Sequence, residues 1–204
     1  MLPAGRRCTT TGTPVTVGLK KHVGKVLVAL GADLRLKTAD RAVLEETILP
    51  YFARHPQFQR ILFIGCDWYT KGYAKLFADK EYWTLEPNPN RRKYGAVRHV
   101  QDFGQNVTRH FRPGELDVVF LNGVFGYGLN DRQAVEESFE GVRGCLRDGG
   151  VFVFGWNDVP QNRPFPPEEI TSLKRFSPFV FPPLASASHR VDTHNRHVFS
   201  FYTR

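Results

Sequence analysis

The sequence predicts an α/β fold: a three-layer arrangement around a mostly parallel sheet, with an antiparallel strand at its carboxyl end. Three observations carry this. From residue 60 onward, short apolar runs alternate with helix-like segments. The runs are apolar at nearly every position, the mark of strands covered on both faces. After residue 176, two strand-like stretches follow each other with no helix between them, which favours an antiparallel hairpin at the sheet edge.

The elements follow in order. Arg60 to Gly65 (RILFIG) reads as the first strand and Thr70 to Ala78 as a helix. Tyr82 to Glu86 (YWTLE) is the second strand, with a short turn-helix through Tyr94. Val97 to Asp102 is the third, and Gln105 to Phe111 is a weak helix stopped by Pro113-Gly114. Leu116 to Asn122 (LDVVFLN) is the fourth strand. Asp131 to Leu146 places Val135, Phe139, Val142 and Leu146 at helical steps. Gly149-Gly150 then turns the chain into Val151 to Trp156 (VFVFGW). A loop with four prolines covers 157–167, and Pro166-Pro167 introduce a short helix, Glu168 to Phe176. Phe179 to Phe181 and His197 to Tyr202 are the last strands.

Residues 1–57 read as a basic, helical amino-terminal extension, and 58–204 as the main domain. Residues 1–32 contain no Asp or Glu and are rich in Thr. That shares features with an organelle transit peptide, but a mobile start followed by a basic helix is the preferred reading. Leu19, Val23, Val26, Leu27 and Leu30 form that helix's apolar stripe, and Val43, Leu44, Ile48 and Phe52 mark a second helix, Thr38 to Ala53.

The chain has 204 residues, 41% hydrophobic and 24% charged, which excludes collagen-like and largely disordered classes. Its three cysteines, Cys8, Cys66 and Cys145, are far apart and read as reduced thiols, so a cytoplasmic protein is expected. No Cys/His cluster has metal-ligand spacing, and His189, His194 and His197 read as surface or strand-end histidines. The formal net charge of +8 is uneven. Residues 1–60 hold 10 basic and 4 acidic residues, whereas 61–204 hold 18 and 16. A nearly neutral core argues against a site built around a polyanion.

In an open parallel sheet, ligands bind beyond the carboxyl ends of the strands. That places Gly65-Cys66-Asp67-Trp68-Tyr69, Glu86-Pro87, Asp102-Phe103, Asn122-Gly123 with Tyr127, and Trp156-Asn157-Asp158 at one crevice. Glu86 lies 21 residues beyond Gly65, the spacing at which a second-strand acid reaches the ribose hydroxyls of a nucleoside. Trp68, Tyr69, Tyr127 and Trp156 offer aromatic faces that suit a sulfonium cation, or plain packing.

The succession of strand–Gly65, Glu86, Asp102, LDVVFLNGVF and VRGCLRDGGVFVFGW resembles the class I S-adenosylmethionine-dependent methyltransferases over roughly 58–204. The resemblance implies a Rossmann-like, seven-stranded sheet with its last strand antiparallel. It implies S-adenosyl-L-methionine as cofactor, with Gly65, Cys66, Asp67 and Tyr69 near its methionine part. Glu86 and Pro87 would lie at the ribose, Asp102 and Phe103 at the adenine, and Asn122 and Gly123 at the methyl-donor face. The first glycine motif departs from the family: Phe63 replaces the usual acid, and Asp67 and Tyr69 replace two glycines. Either the cofactor is held differently, with Asp67 in the acid's place, or the fold serves as a non-catalytic module.

The expected function is methylation of a small molecule, with Asp158 and Tyr127 as candidate bases. The alternatives are that non-catalytic module and a nucleic-acid methyltransferase. The last is disfavoured because no nucleic-acid-binding motif is present and Asn122 is followed by Gly-Val-Phe. A nicotinamide-dependent oxidoreductase would need G-x-G-x-x-G after the first strand, which Gly65-Cys66-Asp67 is not.

Overall fold

The computed structural model describes residues 37–204. The basic helix expected over 15–30 and Cys8 lie outside them. The central sheet is built from β1 (Arg60–Ile64), β2 (Glu81–Leu85), β3 (Arg98–Val100), β4 (Leu116–Asn122) and β5 (Leu146–Asn157), paired in the order β3-β2-β1-β4-β5 and all parallel. β8 (His197–Thr203) runs antiparallel along β5, with Asn157 opposite His197 and Val151 opposite Thr203.

Among the described residues the sheet has eight strands rather than seven, and β8 is not its edge. β6 (Ser177–Pro178) and β7 (Ser188–Arg190) share the far side of β8, pairing with Tyr202–Thr203 and with 198–200 respectively. Seven lateral positions therefore hold eight strands. Proline divides the outer one: Pro178 ends β6, and Pro182 opens a 3-10 turn, Pro182–Leu184. Proline lacks the N–H that a longer strand would need. The expected strand Phe179 to Phe181 accordingly shrinks to β6 and a bridge from Phe181 to Ser186.

Alternate residues of each strand enter two separate clusters. Leu62, Ile64, Val119 and Leu121 face α3 (Arg132–Cys145), whose Val135, Phe139 and Val142 are fully buried. Ile61, Phe63, Val118 and Phe120 face the other way, toward Leu44, Ile48, Leu49 and Phe52. Those four lie on α1, helical over 39–54. α1 runs as Ala39–Ala42, then as a π-helix, Val43–Ile48, then as Leu49–Arg54. Pro50 cannot donate to the carbonyl four residues back, and the wider π turn precedes it. α1 lies on the amino-terminal side of the 57/58 division, and its apolar stripe shares one core with β1 and β4.

Several expected helices are only one or two turns long. After β1 come a 3-10 turn, Trp68–Thr70, and the four-residue α2, Tyr73–Leu76. After β3 comes a 3-10 helix, Gly104–Arg109. Short connections leave room for little more.

At the amino end of the sheet, the Asp117 carboxylate accepts from the N–H groups of Gln59 and Arg60, at 2.7 and 2.8 Å, and from the Arg147 guanidinium. Burial alone would raise its pKa; these donors outweigh burial and hold it below the usual carboxylate range. Replacing Asp117 by Ala would leave two backbone donors and a guanidinium without their acceptor. Urea unfolding of Asp117→Ala is expected to show a loss of about 3 kcal/mol.

Candidate functional site

A cleft of about 340 Å³ opens at the carboxyl ends of β1, β2 and β4. Gly65, Cys66, Asp67, Tyr69, Glu86, Pro87, Phe103, Asn122, Gly123 and Tyr127 all line it. Asp102 and Asp158 are not among its lining residues.

Glu86 directly follows β2 and is 5% exposed. Its Oε2 accepts from the Cys66 N–H at 3.1 Å and its Oε1 from the Asn88 N–H at 3.0 Å. The carboxylate is thus fixed by backbone on both sides, and each oxygen keeps a further lone pair. Arg91, which the sequence reading did not single out, lies between Glu86 and Asp67, with its nitrogens 3.7 and 3.4 Å from their oxygens. It comes from the 3-10 helix Pro89–Tyr94, whose Pro89 and Asn88 cap signals mark the turn but not its direction.

The turn after β1 needs one glycine. Gly65 has φ +92°, and a Cβ there would stand 2.5 Å from a Val124 methyl carbon. Asp67 is extended, with φ −149°, so its position needs no glycine. Its carboxylate accepts from the Trp68 N–H at 2.7 Å, and Thr70 Oγ1 accepts from the Asp67 N–H at 3.1 Å, a capping box that closes the turn Trp68–Thr70. Across the cleft, Gly123 has φ +71° and nothing within 4 Å of a hypothetical Cβ. Its bare backbone faces open space, a cradle that a ligand can approach closely.

The remaining candidates divide. Phe103 presents a ring that is 56% exposed. Asp102 beside it turns to its own chain: its carboxylate accepts from the Phe103 N–H and from Asn106, and pairs with His110 at 2.8 Å. The His110 and Asn106 bonds lead in pulling its pKa down to about 2. Asp158 pairs with Arg163 at 2.7 Å, Arg196 at 3.2 Å and Arg190 at 3.7 Å. Trp156 is packed inside the α3-side core, its indole N–H donating to Ser200. Of the four aromatics, Tyr69 and Tyr127 reach the cleft lining, and the Arg41 guanidinium already stacks 4.2 Å over the Tyr69 ring. Burial pushes the Cys66 thiol up to about 12, so it is no nucleophile at neutral pH.

Behind the cleft, Asn122 and Asn157, both expected at the crevice, are joined through His197, a contact that the sequence did not foretell. Asn122, Asn157 and His197 meet over Gly155 on the α1 side of the sheet. His197 Nδ1 is 2.6 Å from the Asn157 side-chain oxygen, and Nε2 is 3.1 Å from that of Asn122. The Asn157 amide also bonds the Tyr127 hydroxyl at 2.7 Å. A Cβ on Gly155 would stand within 1.8 Å of the Asn122 amide. Strand alternation was the available signal, since 197 shares its face with Phe199 and Phe201.

No family model matches this sequence, and no curated protein does. Solved structures do. The N-methyltransferase NodS from Bradyrhizobium japonicum is 15% identical, with a TM-score of 0.59 over 83% of this chain and 99% of that one. The chain shares its fold. A TehB-like methyltransferase from Corynebacterium glutamicum is 14% identical, with a TM-score of 0.59 over 94% of this chain and all of that one. A methyltransferase from Archaeoglobus fulgidus is 13% identical, with a TM-score of 0.56 over the same share of this chain. Both of the latter are described as dependent on S-adenosylmethionine.

Two carboxyl-end groups set separate pH windows. Burial lowers His197 to about 4, with Asp40 opposing and Arg41 assisting, so the unfolded chain binds the extra proton first. Stability is therefore expected to fall as pH drops from about 6.5 to about 4. The Asp102 contribution is lost lower, as pH falls from 3.8 to about 2. Thermal melts across this range, with His110→Ala removing most of the second step, check both.

Proposed function

We propose that the protein is an S-adenosylmethionine-dependent methyltransferase acting on a small molecule. The observation that carries this is Glu86. A buried carboxylate, held by two backbone N–H groups at the end of β2, opens on a cleft in a fold shared with such enzymes. NodS in that family of structures is described in complex with S-adenosylhomocysteine.

The residues suit the group. The spare lone pairs of Glu86 match a vicinal diol. The bare backbone at Gly65 and Gly123 permits close approach. The exposed Phe103 ring offers a flat apolar surface for a base. The bound sulfonium would supply an activated methyl group. The chain's own task is then to align the acceptor and exclude water, since displacement at carbon needs positioning more than acid or base groups. The near-neutral charge of residues 61–204 favours a small acceptor over a polyanion.

Calorimetry with S-adenosylhomocysteine tests the reading. Binding is expected, and Glu86→Gln is expected to weaken it by about 1–3 kcal/mol. No binding at millimolar ligand would leave the fold as a non-catalytic module. An unchanged affinity in Glu86→Gln would remove the ribose assignment. A salt-sensitive gel shift with RNA would favour a nucleic-acid acceptor instead.

A further inference from the structure

Among the described residues, the charged side chains that line the cleft are Asp67, Glu86, Asp131 and Arg91. Asp131 stands apart, its carboxylate capping α3 by accepting from the Ala134 N–H at 2.9 Å. The other three form one group, with Arg91 between two carboxylates. Arg91 is therefore the one cationic side chain that an anionic group in the cleft can meet. No acid from β1 joins the group, because Phe63 is buried with its ring stacked on Phe120 at 5.6 Å.

Arg91 is held loosely by both neighbours. Its Nη2 is 3.4 Å from Asp67 Oδ2 and its Nη1 is 3.7 Å from Glu86 Oε2, both beyond ordinary hydrogen-bond length. Its side chain is 42% exposed, so each ion pair is weak. Its base is nevertheless fixed. Tyr94, in the same 3-10 helix, is buried, and that helix packs against the turn Trp68–Thr70 that follows Asp67. A fork of five N–H donors thus stands between two carboxylates and is committed to neither. Each carboxylate is already partly used by backbone. Asp67 Oδ1 accepts from the Trp68 N–H, which leaves Oδ2. Glu86 accepts from Cys66 on Oε2 and from Asn88 on Oε1, so a ribose must take the remaining lone pairs, and Arg91 competes for the one on Oε2. A ligand carboxylate resolves that competition. Fork-to-carboxylate pairing is shorter and stronger than contacts of 3.4 and 3.7 Å, so it draws Arg91 from both acids. Asp67 Oδ2 is then open to an ammonium.

We propose that Arg91 is a selectivity residue: it guards Glu86 against nucleosides without a carboxylate and yields to one that carries an α-amino-acid group. Arg91 takes the carboxylate of that group and Asp67 its ammonium. Given the S-adenosylmethionine reading, on which this rests, the two ends of the ligand bind in concert. The amino-acid end draws Arg91 away from Glu86, and the ribose hydroxyls take the place it leaves. A neutral nucleoside must displace Arg91 with nothing to offer it in return. Asp67 at a position that needs no glycine is thereby one half of a site for a zwitterion.

Calorimetry on the full chain tests this by comparing S-adenosylhomocysteine with methylthioadenosine, which keeps the adenosine and the sulfur but lacks the amino-acid end. In the wild type, S-adenosylhomocysteine is expected to bind about a hundredfold tighter, the worth of two charge-assisted hydrogen bonds. Arg91→Met is expected to move the two ligands in opposite directions. S-adenosylhomocysteine weakens about tenfold, and methylthioadenosine tightens about threefold, the size of one exposed ion pair removed from Glu86. If Arg91 only supports Glu86, both ligands weaken alike; that result, or an unchanged S-adenosylhomocysteine affinity, overturns the proposal. Asp67→Asn is expected to weaken S-adenosylhomocysteine about tenfold with no gain for methylthioadenosine, and an unchanged affinity overturns the ammonium assignment. Should Arg91→Met fail to fold, the wild type decides with decarboxylated S-adenosylhomocysteine, which keeps the ammonium. It is expected to bind about tenfold more weakly than the parent, and equal affinity overturns the proposal. If neither S-adenosylhomocysteine nor methylthioadenosine binds, the cofactor reading falls and the amino-acid site with it. If both bind equally well, the nucleoside cleft stands and only the role of Arg91 and Asp67 falls.

Discussion

The Asp117 carboxylate holds the amino ends of β1 and β5 against β4 through Gln59, Arg60 and Arg147. Parallel strands tied level at one end finish in a set order at the other. From this clasp, Ile61 pairs with Val118 and Val118 with Val151, and the ladders run on until Ile64 lies beside Leu121 and Asn122 beside Gly155. A slip of one residue would turn every side chain to the opposite face. Gly65, Asn122 and Gly155 therefore converge because of a contact at the far end of the sheet.

The cleft has two halves with different origins. The half at β1 and β2 is made of backbone: Gly65 without a side chain, and N–H groups aimed at Glu86. Such a surface depends little on which residues fill the turn, so Asp67 and Tyr69 are accommodated where glycines were the family pattern. The half at β4, β5 and β8 is made of side chains, Asn122, Asn157 and His197, which an interior glycine allows to touch. Interior glycine weakens a strand, and here the close approach of two polar groups compensates.

The parts legible in the sequence were those where one local signal dominated. The buried strands declared themselves as continuous apolar runs, and Glu86 by its distance from Gly65. Where two local options competed, the sequence was less informative. Asp102 stands at a strand end, where an acid can face a ligand, yet it is also followed by a turn whose N–H and Asn106 amide it accepts. The nearer donors captured it. Asp158 was drawn off in the same way by three arginines, two of them from beyond residue 189. The outer sheet position was hard to read because proline breaks one strand into two fragments that pair with the same neighbour. His197 was hidden by separation, lying 40 residues from Asn157 and 75 from Asn122.

That separation has a consequence for vectorial synthesis. β1, β2 and β4 can pair once the ribosome has released residue 122, so the backbone-built half of the cleft has its parts early. The other half waits for β8, which must slot between β5 and the short strands β6 and β7. Until it does, β5 presents an unpaired edge and Asn122 a buried amide without its partner. A nascent chain stalled between the two events would own a nucleoside-sized hollow with one wall unfinished.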